Sequence, residues 1–309
     1  MDFPVAGKNA IVTGGASGTF CTPGSFCFLF AEATVKEEIA LIFLCANVIV
    51  GDLQESAALK ELQQQPRSTK LLFQKTDVSK WNELEALFKR AQAELGPLDV
   101  VCNGAGVFEP SWSNFWNDTE TESYKSLDIN LGALIKGTRL AIRDQITRSK
   151  GRKAGGTVGV ILNISSLAAQ RMLFNQPIYS AAKSGVSAIV RSLAPLHEEY
   201  GIKVVAVAPG MVYTPLWTDH PEKIKAADKK DIWITPEEQA AVMLDVVEKG
   251  EYEGGTVLET LKDFTRRVYI DSPMPEGPGS TISNLGLITE DTMALLEAER
   301  KGEKVKNGA

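Results

Sequence analysis

Seven apolar, β-branched runs punctuate the chain: "NAIVTGG", "NVIVGDL", "KLLFQKTDV", "LDVVCNGAG", "VGVILNISS", "IKVVAVAPG" and "GGTVLET". A strand with one wet face alternates apolar and polar residues, whereas these runs do not, so they read as strands covered on both faces and hence as a parallel sheet. Segments of helical period lie between them. In "WNELEALFKRAQAEL", Leu84, Leu87, Phe88 and Ala91 share one face, and "SGVSAIVRSLAPLHEEY" behaves alike. Strand and helix alternate to about residue 260, which predicts an α/β, doubly wound parallel sheet of about seven strands with helices on both faces.

With 309 residues and 44% hydrophobic content, the chain suits one large core. The reading is a single domain over 1–262, followed by an extension over 263–309. That extension is partly irregular at "DSPMPEGPGST", helical around "TEDTMALLEAERK" and frayed at "GEKVKNGA". A net charge of -6 opposes contact with phosphate backbones or anionic membranes, so neither nucleic acid nor membrane is expected as a partner. The apolar stretch from Phe26 to Val50 is broken by Glu32, Lys36, Glu37 and Glu38, too soon for a membrane span. The start "MDFPVAGKNAIVTGG" lacks a leader pattern, and the cytoplasm is the expected location. Cys21, Cys27, Cys45 and Cys102 are spaced too irregularly for a disulfide framework or a metal site.

Several strands end on residues that could touch a nucleotide. Asp52 closes "VIVGD", where an acid can accept from an adenosine ribose; by itself it is more often a turn or helix-cap residue. Asp77 in "KTDVS" offers a polar group for adenine, and "NGAG" at 103–106 offers small residues for close backbone approach. Tyr179 and Lys183 in "YSAAK" are four apart, so on a helix the ammonium can lie beside the phenol and favour its ionised form. Ser166 ends a strand upstream, where its hydroxyl can hold the same substrate oxygen. Taken singly, a Tyr-x-x-x-Lys pair is an ordinary solvated helix face, and Asn130 in "DINLGA" an ordinary helix residue.

In order along about residues 5–260, "TGGASG", Asp52, "DV" at 77–78, "NGAG", Asn130, Ser166, "YSAAK" and "PGMVYTPL" resemble the short-chain dehydrogenase/reductase family. The resemblance implies a Rossmann-type fold and an NAD(P)(H)-dependent oxidoreductase interconverting a secondary alcohol and a ketone. It implies Tyr179 as general acid/base, Lys183 lowering its pKa and binding the nicotinamide ribose, Ser166 holding the reacting oxygen, and Asn130 anchoring a water-linked proton relay. Thr13, Gly14, Ser17, Gly18, Asp52, Asp77, Val78, Asn103, Ala105, Gly106, Pro209, Gly210, Val212 and Thr214, with Tyr179 and Lys183, are the implied cofactor contacts. Asp52 implies NAD ahead of NADP. No metal is implied. Homodimers or homotetramers are implied, built through the helices that follow Asn130 and contain Tyr179.

The family's glycine pattern, TGxxxGxG, departs here: Thr13, Gly14 and Gly18 fit, but Phe20 occupies the final glycine position, and the chain up to Asn47 is longer than one turn and helix require. A loop insertion with a turn at Pro23 and Gly24, a translated intron or frame error over residues 19–46, and a degenerate protein that has lost its cofactor each account for this. The alternative function is accordingly a catalytically impaired binding or scaffold protein. A Rossmann-type methyltransferase would explain the glycines but not "YSAAK" or "PGMVYTPL". Residues near 213–236, with Trp217 and Trp233 bracketing a charged segment, read as a substrate lid over a small or medium apolar alcohol or ketone, and His220 reads as a surface residue.

Overall fold

The computed structural model describes residues 2–15, 46–150, 152, 155–214, 217, 227–228, 230–270 and 285–303. Ser17, Gly18, Phe20, Cys21, Cys27, Cys45, nearly all of the departing loop, much of the expected lid with His220, and the "DSPMPEGPGST" segment lie outside the described residues.

Among the described residues, eight strands form one sheet in the order β3-β2-β1-β4-β5-β6-β7-β8. They are β1 (Asn9–Thr13), β2 (Asn47–Asp52), β3 (Leu71–Lys75), β4 (Val100–Asn103), β5 (Gly159–Ile164), β6 (Ile202–Pro209), β7 (Val257–Leu261) and β8 (Phe264–Arg267). Neighbours are parallel except β7 and β8. Consecutive residues of one strand enter opposite layers: Ile11, Ile49, Val101, Ile161 and Val204 join one apolar cluster, while Val12, Val50, Cys102, Leu162 and Val205 join the other. This is the period-2 geometry of a strand sealed on both sides, and each such side chain contributes about 1.5–3 kcal/mol by burial.

Helices α1 (Ala57–Gln64), α2 (Trp81–Leu95), α3 (Ala133–Ile146), α4 (Pro177–Ser192), α5 (Pro195–Tyr200) and α6 (Pro236–Glu248) connect the strands. In α2 the buried residues are Leu84, Leu87, Phe88 and Ala91, the face its period indicates. The strand count exceeds the expected seven by one. β8 was not legible because "FTRR" carries no apolar run and its residues are mostly exposed; it is held by antiparallel pairing with β7 through a turn in which Asp263 adopts φ 56°. Beyond it, α7 (Leu285–Lys301) returns to the body of the molecule: Leu296 is buried in one of the two clusters, and Glu299 pairs with Arg139 and Arg143 of α3.

The chain winds from β1 outward to β3, then crosses to β4 on the other side. The sheet therefore has its switch point between β1 and β4, and in open sheets of this kind the crevice at the carboxyl ends of those strands is where ligands fit.

Candidate active site

A cleft of about 600 Å³ opens there. One end is walled by Gly14, Gly51 and Asp52, the middle by Asp77, Val78 and residues 104–108, and the other end by Ser166, Tyr179, Lys183, Gly210 and Thr214. The first turn is tight by construction. Gly14 has φ +71°, and a Cβ there would stand 2.5 Å from the Ala105 Cα, so only glycine lets the β1 and β4 loops meet. Thr13 does not reach the cleft wall. Its hydroxyl accepts from the Gly104 backbone N–H at 3.2 Å and so braces the two loops together. Asn103 is likewise withdrawn beneath the wall, where it donates to Thr138 Oγ1 (3.2 Å) and Asn163 Oδ1 (3.0 Å) in a buried polar network.

Asp52 is buried at the end of β2, its Oδ1 accepting from the Leu53 N–H at 2.6 Å. Asp77 also accepts locally, from the Ser79 N–H and hydroxyl. Its carboxyl lies below the ordinary range: burial opposes this, but the two Ser79 bonds and nearby Lys125 and Lys80 outweigh it together.

At the other end, α4 begins at Pro177 and carries Tyr179 and Lys183 into the cleft, both buried. Lys183 Nζ donates to the Ile164 carbonyl at 2.8 Å and stands 5.5 Å from the Tyr179 ring centroid. Burial pulls the Lys183 ammonium down to about 8. The Tyr179 phenol is pushed above its usual value by burial, with a hydrogen bond from the Ser166 side pulling the other way. The expected depression by Lys183 is thus not what governs the phenol in the free chain; removal from water dominates. Ser166 is extended at the end of β5, where its Oγ also accepts from the Ala168 N–H at 3.2 Å.

Asn130 sits in a π-helical turn, Asp128–Gly132, directly before α3. Such a turn marks a helix interrupted for a local purpose, and here the buried side chain pairs with a neighbouring loop: Oδ1 accepts from the Val107 N–H at 2.8 Å and Nδ2 donates to the Val107 carbonyl at 2.9 Å. Gly106 is held close by, since a Cβ there would meet Asn130 Oδ1 at 3.0 Å and Lys183 Nζ at 3.7 Å. Val212 bridges to Ile234, and the Thr214 hydroxyl donates to the Val212 carbonyl at 3.3 Å, which shapes the floor beside Pro209 and Gly210.

The remaining wall is mostly apolar, with Phe108, Leu167, Leu173, Met211, Trp217 and Ile232, and also carries Arg171 and Asp231. Phe108 stacks on Tyr179 at 4.7 Å and meets Trp217 edge-on at 5.1 Å; Trp217 in turn packs against Trp233 at 5.3 Å. Sequence reasoning singled out the tryptophans but missed Phe108 and Glu109, whose partners lie far along the chain and leave no local pattern. Among the described residues no group of His, Cys, Asp and Glu could hold a metal ion, and no helix is long and apolar enough to cross a membrane.

The cleft fits a dinucleotide on its own evidence: a glycine cradle that a Cβ would fill, a buried acid at one end and a Ser, Tyr and Lys cluster at the other. Comparison with known proteins places it in a class. A family model described as short chain dehydrogenase matches residues 8–225. The chain is 34% identical over 215 residues to 15-hydroxyprostaglandin dehydrogenase (NAD(+)) of Homo sapiens, covering 69% of this chain and 71% of that protein. It is 32% identical to cis-4-hydroxycyclohexanecarboxylate dehydrogenase of Sinomonas cyclohexanicum, covering 72% and 80%. It is 30% identical to 3-hydroxyacyl-CoA dehydrogenase type-2 of Homo sapiens, covering 71% and 79%. The chain belongs to the short-chain dehydrogenase family.

Proposed function

We propose that this protein uses NAD to interconvert a secondary alcohol and a ketone on a small or medium apolar molecule, with Tyr179 as general acid/base. The observation that carries the reading is the meeting of half-buried Ser166 with buried Tyr179 and Lys183 at one end of a cleft whose other end is formed by Asp52. Names of the relatives support it, since each is a dehydrogenase and their printed substrates carry a hydroxyl.

In this reading Gly14 admits the pyrophosphate, Asp52 accepts from the adenosine ribose, Asp77 and Val78 flank the adenine, and Ala105 and Gly106 let the backbone approach. Lys183 and Tyr179 contact the nicotinamide ribose, while Pro209, Gly210, Val212 and Thr214 hold the ring. The nicotinamide supplies the hydride chemistry, and the chain supplies orientation and proton transfer. Ser166 and Tyr179 bind one oxygen. In the reducing direction Tyr179, kept neutral by burial, gives its proton to that oxygen. In the oxidising direction it must first lose the proton, and the Lys183 cation stabilises the phenolate that results. Asn130, whose side chain is committed to Val107, contributes to a relay toward Lys183 through its main chain. The apolar wall around Phe108, Leu173 and Trp217 sets the substrate class.

The test is turnover of cyclohexanol, cis-4-hydroxycyclohexanecarboxylate and a 15-hydroxyprostaglandin with NAD, followed by NADH absorbance in the wild type and in Tyr179→Phe. Loss of proton transfer lowers kcat by about 10²–10⁴ or more with the unfolding midpoint unchanged; a Tyr179→Phe variant that turns over normally overturns the assignment. Titration of NADH into the free chain separates this reading from an impaired scaffold, which would not bind it.

A further inference from the structure

The loop Val107–Glu109 grips α4 and its surroundings in three ways. Val107 is fastened to Asn130 by the paired amide bonds described above. Phe108 stacks its ring on Tyr179, nearly parallel at 21°. Glu109, only 4% exposed, places one carboxylate oxygen 3.0 Å from the backbone N–H of Tyr179 itself and the other 3.0 Å from the Phe115 N–H.

The first turn of α4 explains why the last contact matters. A helix leaves its first N–H groups without intrahelical partners. Gln176 at the N-cap makes no side-chain cap bond, and Pro177 removes one donor, so the Tyr179 N–H needs an acceptor from elsewhere. An acid is the best acceptor at that end, because the helix dipole presents partial positive charge there. Glu109 supplies it from 70 positions away in sequence. The backbone of the proposed acid/base residue is held by a carboxylate while its ring is held by the preceding aromatic.

We infer that Glu109 is a positioning residue for the reaction: with Phe108 it clamps Tyr179 from the backbone and ring sides and so fixes the phenol against Ser166. This rests on the reading of Tyr179 as acid/base. A displacement of about 1 Å in such a group costs on the order of 10²-fold in rate, whereas the cofactor contacts proposed at Gly14, Asp52, Asp77 and Val78, which Glu109 does not touch, are left alone.

The decisive variant is Glu109→Gln, of equal size. Its amide nitrogen must face one of the two N–H donors, so one bond is lost. With cis-4-hydroxycyclohexanecarboxylate and NAD, kcat is expected to fall about 10- to 100-fold while KM and the NADH dissociation constant stay unchanged and the unfolding midpoint drops only slightly, with a single transition kept. Phe108→Leu, which removes the ring contacts to both Tyr179 and Trp217, is expected to lower kcat as well, and to change KM too because Phe108 lines the apolar wall. Amide hydrogen exchange at Tyr179 in the free chain needs no substrate and is expected to quicken about tenfold in Glu109→Gln. Wild-type kcat in both variants, or unchanged exchange at Tyr179, overturns the clamp. Tyr179→Phe run alongside separates the two failures: if it retains turnover the acid/base reading falls, and if it is inactive while Glu109→Gln is not, only the clamp falls.

Discussion

Asp52 and Lys203 show how much one side chain can decide. Asp52 is buried at one end of the cleft, and in the proposed reading its carboxylate meets the adenosine ribose and repels the extra phosphate of NADP. Asp52→Arg is expected to shift the ratio of kcat/KM values toward NADP by at least about 10-fold, measured with both cofactors; an unchanged ratio would mean that the ribose is read elsewhere. Lys203 is buried in β6, donating to the Val247 and Lys249 carbonyls at the end of α6. Burial lowers its ammonium from 10.5 to about 8. Between those values the unfolded chain keeps a proton that the folded chain has released, so stability rises with pH from about 8 to about 10.5, and the burial cost is fully present below that window. Lys183 acts in the same direction. Denaturant titrations across this range should show a shallower slope in Lys203→Met than in the wild type. Asp52 could be singled out from a strand ending in an acid; Lys203 could not, because nothing in "IKVVAVAP" says that its ammonium reaches a helix end.

Among the elements, α6 carries its own start signal. Thr235 accepts from the Glu238 N–H at 3.2 Å, Glu238 accepts from the Thr235 N–H at 2.9 Å, and Pro236 occupies the first turn, a reciprocal capping box. Thr235→Ala is expected to cost about 1 kcal/mol in thermal or chemical unfolding, and because this end of α6 adjoins the Val212–Ile234 bridge, NADH affinity should fall with it. A loss of stability with unchanged affinity would uncouple the helix from the cleft. α3 is different. Its amphipathic pattern is ordinary, but the π turn before it, which seats Asn130 against Val107, depends on a loop 23 residues earlier in the chain and has no periodic signature.

For the whole molecule, α7 joins the chain's last described segment to its middle. Leu296 enters the core cluster, and Glu299 binds Arg139 and Arg143 across the surface of α3. Leu296→Ala is expected to cost about 2–5 kcal/mol by transfer and cavity terms, with a single unfolding transition retained; a separate early transition would show α7 to be an independent appendage. The sequence by itself determined the sandwich of helices around a parallel sheet and the order of Ser166, Tyr179 and Lys183, because periodicity and four-residue spacing are local properties of a chain. The tertiary structure alone decided that β8 closes the sheet edge, that Asn103 and Thr13 brace the cleft from behind, and that Glu109 holds Tyr179. β8 is a local hairpin with no apolar run to announce it, whereas the other contacts join residues distant in sequence that only the tertiary packing brings within hydrogen-bond reach.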